Sequence, residues 1–170
     1  MKNLIIYGTK HGCAKRCAEL LSEMLEGETD IVDIKEKSNI DLLDYDSIII
    51  GGSIYAGKIN KDIYSFTTTN ENLLHKKKLG LFICSMNKSL EDKQIKESFP
   101  SSLLESARVA ENFGGEFRLN EMNFMEKMIV KMVSKSLEKE GAESSVSMKD
   151  DIDKVSIDTI KNFADSMNRS

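Results

Sequence analysis

The chain predicts a three-layer α/β fold, a five-stranded parallel sheet in the order 2-1-3-4-5 covered by helices on both faces. Three observations carry that prediction. Short apolar runs of strand length alternate with helical patterns, the arrangement that parallel strands joined by crossovers require. Most of those runs are continuously apolar rather than alternating, which suits a sheet buried on both sides. At 170 residues the chain can pack one such unit and is short for two, so residues 1–170 are expected to form a single domain. Five strands fit that length better than a larger six-stranded sheet.

The elements follow in order. The runs "NLIIYG" (3–8), "TDIVDI" (29–34), "DSIIIGG" (46–52) and "KLGLFICS" (78–85) are the first four strands, each carrying isoleucine, whose branched side chain packs well on a pleated surface. The second run alternates more than the others and is expected either at an edge or only partly covered. "RVAENF" (108–113) is a weaker fifth strand, ended by Gly114-Gly115. Between the first two strands, residues 13–26 place Cys17, Leu20, Leu21, Met24 and Leu25 on one helical face, with Gly27 as the stop. Asn60 is a suitable N-cap for a helix over 60–69, and Pro100 opens a short one over 100–106. Residues 151–168 repeat apolar side chains at helical spacing. One piece is surplus to a five-strand unit. Residues 120–141 form a strong amphipathic helix within an insertion spanning about 116–150.

Composition narrows the function. A net charge of -4 argues against nucleic acid as partner, since that affinity rests on clustered basic residues. No apolar stretch approaches the roughly 20 residues of a membrane span, and the opening run is too short for a signal peptide. Three cysteines without framework spacing read as reduced thiols in a cytoplasmic protein. Oligomeric state leaves no signal in the pattern.

The chemistry lies in three loops that this topology gathers at the carboxyl ends of strands one, three and four, where ligands of open α/β sheets sit. After the first strand, Gly8-Thr9-Lys10-His11-Gly12-Cys13-Ala14 turns directly into a helix, whose unpaired first amides and dipole favour an anion. Thr9 and His11 add side-chain donors, and Lys10 and Arg16 add positive potential. A glycine connection with no ligand is the equally weighted alternative for this loop taken alone. After the third strand, Ser53, Ile54, Tyr55, Ala56 and Gly57 can lay apolar and aromatic side chains along a flat ring. After the fourth come Ser85, Met86 and Asn87. Tyr55 alone reads more simply as a half-exposed packing residue.

Familiar alternatives fail on spacing. There is no G-x-x-x-x-G-K-[ST] and no G-x-G-x-x-G, so neither a triphosphate loop nor a dinucleotide fingerprint is present. Cys13 and Cys17 are four apart rather than three, and no second pair exists for zinc, so no metal site is expected. A thiol phosphatase loop would need arginine where Glu19 and Leu90 stand. A magnesium-binding receiver domain would need acidic residues after the first strand, where Gly8 and Thr9 stand. No side chain presents itself as a catalytic acid or base: His75, in "LLHKKK", reads as a solvated helix end.

The three loops resemble a known family. "YGTKHGCA" (7–14) is similar to the flavodoxin phosphate loop, with Thr9 at its first hydroxyl position and Gly12 at its glycine, while His11 and Ala14 depart from its other two hydroxyl positions. "GGSIYAGKINKDIYSF" (51–66) is similar to the corresponding segment of flavodoxins of the menaquinone-dependent protoporphyrinogen IX dehydrogenase type, in which Arg-Tyr stands where this chain has Tyr55-Ala56. "FMEKMIVKM" (124–132) resembles the helix inserted after strand five in those proteins, and "IDTIKNFADSM" (157–167) their closing helix.

The resemblance implies a flavodoxin-like domain binding flavin mononucleotide (FMN) non-covalently through Thr9 to Ala14, Ser53 to Gly57 and Ser85 to Asn87. It implies either a protoporphyrinogen dehydrogenase-like oxidoreductase of haem biosynthesis, passing electrons to a quinone, or an electron-transport flavodoxin serving redox partner proteins. For the stripe Met122, Met125, Met128, Ile129 and Met132, core packing is the commoner meaning. A surface for a planar hydrophobic substrate, or for peripheral contact with the inner face of a membrane through 120–141, is the sharper one.

Overall fold

The computed structural model describes residues 1–36, 40–117, 125, 128, 131–132 and 152–170. Its eight strands are β1 (Lys2–Gly8), β2 (Glu28–Asp33), β3 (Ser47–Tyr55), β4 (Lys58–Ile59), β5 (Lys78–Cys84), β6 (Val109–Asn112), β7 (Glu116–Phe117) and β8 (Ile152–Asp153). The helices are α1 (Cys13–Met24), α2 (Lys61–Thr69), α3 (Glu71–Leu74), α4 (Glu91–Ser98), α5 (Ser101–Ser106) and α6 (Ile157–Asn168). Five strands pair in parallel in the order β2-β1-β3-β5-β6, the expected order once the short β4 is counted. The fold is flavodoxin-like α/β, with the half-exposed β2 at an edge.

The alternation of side chains along each strand divides the core in two. Ile5, Tyr7, Ile49, Phe82 and Cys84 face α1 and α6, where Phe82 stacks on Phe113 with ring centroids 4.7 Å apart and Phe113 meets Phe163 edge-on at 5.1 Å. Leu4, Ile6, Ile48, Ile50, Leu81 and Ile83 face the other way, against Ile63, Phe66 and Leu103. Ile5 and Ile6 of β1 and Ile48, Ile49 and Ile50 of β3 are fully buried, each contributing about 1.5–3 kcal/mol of transfer free energy. Two glycines exist for contact rather than for turning. A Cβ on Gly51 would fall 2.3 Å from the Phe82 ring, and one on Gly8 would fall 2.7 Å from Ile63 and 2.9 Å from Asn60.

Three elements differ from the sequence expectation. Helix α4, "EDKQIKES", has almost no apolar face to announce it; it packs through Gln94 and Ser98, both buried. The strand β3 continues past Gly52 into a hairpin with β4, Ile54 opposite Ile59 and Tyr55 opposite Lys58. The closing helix begins at Ile157 rather than 151, because Ser156 caps it by accepting the Thr159 amide at 3.2 Å. Ile152 instead pairs with Phe117 in the β7–β8 ribbon. Most of the expected helix over 120–141 lies outside the described residues. Met125, Met128, Lys131 and Met132 are helical and exposed, which is a surface and not a core placement for those three methionines.

Candidate functional site

The carboxyl ends of β1, β3 and β5 meet through the register. Gly8 pairs with Gly52, and Ser53 with Cys84, so the three loops start side by side. The first loop bends at Gly12, which has φ 91° and caps α1 with no side-chain hydrogen bond to the helix. The first amides of that helix, at Cys13 and Ala14, have no carbonyl one turn below to bond. A Cβ on Gly12 would meet nothing within 4 Å. The start of α1 also carries the positive end of the helix dipole, which favours an anion there.

Side chains in this loop divide into those that face a ligand and those that do not. Thr9 Oγ1 accepts the Gly12 amide at 2.9 Å, which pins the turn and leaves the hydroxyl proton to donate elsewhere. Lys10 is exposed, and its ammonium lies 3.9 Å from the centroid of the Tyr55 ring, bridging the first loop to the second. His11 is half-buried. Cys13 and Ala14 turn their side chains into the core and offer only backbone. Arg16, expected to raise the potential of the loop, is drawn away. Its Nη1 pairs with Glu116 at 2.6 Å and Asp153 at 2.7 Å, tying α1 to the β7–β8 ribbon.

The second loop is a tight hairpin turn. Ala56 at φ 50° and Gly57 at φ 78° are both left-handed, the arrangement of a type I′ turn. For Ala56 that conformation costs about 1 kcal/mol, strain of the kind that collects at binding loops. Gly57 also has open space where a Cβ would stand. At the base of the hairpin Ser53 Oγ is buried with no hydrogen-bond partner among the described residues. Ile54 and Tyr55 are half-buried, with Tyr55 presenting its ring beside Lys10.

The third loop is held from below. Ser85 is buried, and its hydroxyl donates inward to Gln94 Oε1 at 2.5 Å, so only the backbone of Ser85 faces the site. Asn112, at the end of β6, is the anchor that sequence reasoning missed. Its Oδ1 accepts the Ser85 amide at 3.0 Å and the Gly114 amide at 3.1 Å, while its Nδ2 donates to the Ser85 carbonyl at 3.2 Å. An asparagine closing an apolar strand just before two glycines was the available signal. Gly115 belongs with it: a Cβ there would fall 3.0 Å from the Met86 amide. Asn87 is half-buried and follows Met86 at the rim, its amide donating to Ser85 Oγ at 3.3 Å.

Beneath the first loop lie three buried thiols. Cys13 is held below the usual thiol range by S–H donation from Cys17 and then from Cys84, and those two are pushed up as its donors. His75 closes α3 beside Glu71, 3.9 Å away, outside these loops.

The arrangement suits FMN. The Gly12 cradle presents helix-start amides suited to an anion, and Ser53 Oγ, buried without a partner among the described residues, is placed beside it to bond to a ligand. Among the described residues, no helix is long and apolar enough to cross a membrane.

A family model described as Flavodoxin domain matches residues 4–144. None of the curated proteins matches the chain. Among solved structures, the flavodoxin of Streptococcus pneumonia TIGR4 is similar over 98% of this chain and 97% of its own, with TM-score 0.57 and 11% identity. Oxidised flavodoxin 1 from Bacillus cereus is similar over 85% of this chain and 100% of its own, with TM-score 0.50 and 18% identity. Rubredoxin oxygen:oxidoreductase from the anaerobe Desulfovibrio gigas is similar over 83% of this chain, with TM-score 0.52 and 13% identity; this chain spans 37% of its length. At such identities the likeness is one of fold.

Proposed function

This chain belongs to the flavodoxin domain family, and we propose that it binds FMN non-covalently and serves as a redox protein through that cofactor. The observation that carries the reading is the left-handed Gly12 at the start of α1, with open space on its Cβ side. The residues that would hold the cofactor are the cradle of Thr9 to Ala14, mostly through backbone amides, for the phosphate, with Ser53 to Gly57 and Ser85 to Asn87 for the ring. When bound, the flavin would supply electron and proton transfer; the protein would contribute orientation and exclusion of water. Lys10, 3.9 Å from the Tyr55 ring centroid, would add positive charge beside the phosphate.

Within this chemistry, a protoporphyrinogen dehydrogenase-like enzyme that hands electrons to a quinone is supported by Met125, Met128 and Met132. Each of these is helical and exposed in the segment that resembles that group's insertion. Such flexible, polarisable side chains suit a planar hydrophobic substrate or the surface of a bilayer. A carrier serving protein partners is supported by Tyr55-Ala56, which replaces the basic-aromatic pair of the better-known enzymes.

Reconstitution followed by a visible spectrum tests the cofactor. Purified protein should take up one FMN per chain and turn yellow, and material that stays colourless in millimolar FMN would sink the reading. Quinone-dependent oxidation of protoporphyrinogen then separates enzyme from carrier.

A further inference from the structure

The chain spaces Cys13 and Cys17 one helical turn apart, and the sheet brings Cys84 from the end of β5 to meet them. All three sulfur atoms lie within 4.8 Å of one another. They are free thiols at the edge of the core that α1 and α6 share, at 5%, 0% and 3% exposure in chain order. The group stops at three: no further cysteine, histidine or carboxylate among the described residues joins it.

That geometry matches one class of ligand. Bonds of about 2.3 Å place the three sulfurs of a three-coordinate site about 3.4 Å apart when it is pyramidal and about 4 Å apart when it is planar, within the 4.8 Å that bounds the observed separations. A structural zinc site needs four ligands. A disulfide would draw two of the sulfurs to about 2 Å and leave the third idle. Thiolates select soft ions, and charge orders the soft ions among themselves. Three thiolates around a trivalent ion sum to zero, whereas monovalent copper would leave two uncompensated negative charges in an apolar core, at high desolvation cost.

We propose that Cys13, Cys17 and Cys84 form a three-thiolate site for a soft, thiophilic trivalent ion, with trivalent arsenic as the occupant of matching size and charge. Arsenous acid exchanges its three hydroxyls for three thiolates. Three As–O and three S–H bonds break, three As–S bonds form, and three waters leave, with arsenic trivalent throughout. Cys13, the most exposed of the three and the first residue of α1, meets the incoming ion first; Cys84 and the fully buried Cys17 follow. Because Cys13 also carries one of the cradle amides, occupancy of the thiol site presses on the loop from behind.

The test uses the full chain loaded with FMN, kept reduced with a phosphine, exposed to arsenite, desalted and analysed for metals and arsenic by mass spectrometry. One arsenic per chain is expected, with three sulfur neighbours by X-ray absorption. Cys17→Ser and Cys84→Ser should each lower retention at least tenfold. Parallel incubations with Zn(II) and Cu(I) should give weaker retention than arsenite. Substoichiometric arsenic in the unaltered protein, fewer than three sulfur neighbours, unchanged retention in both variants, or tighter retention of copper would each overturn the proposal. Should the serine variants fail to melt cooperatively, the sulfur count in the unaltered protein decides alone. Arsenic retention is read equally well in colourless protein, so failure of FMN binding and failure of this site are distinguishable.

Discussion

The two ends of the parallel sheet are built by opposite means. At the amino ends, side chains close the structure across long stretches of sequence. Asn3 donates to the Glu26 carbonyl at 3.0 Å and to Thr29 Oγ1 at 3.2 Å. Asn168 accepts the Glu26 amide and donates to the Met24 carbonyl, locking α6 onto α1. Lys78 and Arg108 reach the carbonyls of Arg169, Ser166 and Ser170. At the carboxyl ends the chain turns mostly on left-handed residues, Gly12, Ala56, Gly57 and Gly114, against Gly27 alone at the amino edge among the described residues, and leaves helix amides and Ser53 Oγ available. The amino end is tied together by its own side chains around an open cavity lined by Lys77, Lys78, Leu79, Ser106, Arg108 and Ser170; the carboxyl end is built of backbone turns that leave donors facing outward. The difference teaches that stability and binding occupy opposite edges of the same sheet, so substitutions at the two ends should separate them.

The largest effect should come from putting a negative charge where the phosphate sits. Gly12→Asp tolerates the left-handed backbone better than most residues yet aims a carboxylate at an anion. At about 4 Å and intermediate dielectric, such repulsion amounts to about 4 kcal/mol. A loss of at least about a hundredfold in FMN affinity, about 2.7 kcal/mol, is expected. Stability should fall by about 1 kcal/mol from the backbone alone. Titration by quenching of flavin fluorescence measures the first, and urea melts of the apoprotein the second. Equal loss of both would erase the proposed separation of the two edges.

The converse substitution is Asn3→Ala. Asn3 is fully buried in β1, and its two hydrogen bonds go with it; Asn3 Oδ1 has no partner among the described residues, which moderates the loss. The cost should be about 1–2 kcal/mol, or roughly 2–8 °C in Tm for a chain of this size. FMN affinity should be unchanged within error, since the amino edge touches no part of the cradle. A weakened affinity in a variant that still melts cooperatively would show the two edges to be coupled.

The legibility of the chain follows the same division. Strands β1, β3 and β5 are readable because each is an apolar run flanked by turn residues, β2 and β6 less so because ETDIVD and VAEN carry few apolar residues, and the phosphate-loop side of the site because glycine and helix start lie in one short stretch. What escaped was held by single polar contacts between distant segments. Asn112 organises Ser85 from 27 residues away, and α4 packs on Gln94 and Ser98 rather than on an apolar stripe. Neither leaves a periodic trace. Arg16 misled for a related reason. Its position near the loop implied added positive potential there, but Glu116, distant in sequence, brings a carboxylate to 2.6 Å. The cysteines show the limit most plainly: Cys13 and Cys17 carry visible helical spacing, while the third thiol arrives only through the pairing of Ser53 with Cys84.

The smallest expected effect sharpens the account of the amino edge by pH. Tyr45 donates to Asp30 Oδ2 at 2.8 Å, and Lys2 lies 4.7 Å from the centroid of its ring. Burial, then the bond to Asp30, pushes the phenol up to about 12, against about 10 in an unfolded chain. The folded state therefore keeps its proton over a range in which the unfolded state loses one. This contribution is fully present below about pH 10 and is lost as pH rises through about 12. Tyr45→Phe removes the titrating group and should cost about 1 kcal/mol near neutrality, where Asp30 loses a donor. The difference in unfolding free energy between the unaltered protein and the variant should hold steady up to about pH 10 and then narrow. Urea melts at a series of alkaline pH values measure it directly. A difference that stays constant across that window would mean that Tyr45 ionises in the folded protein as readily as in the open chain, and that the bond to Asp30 contributes nothing to this edge.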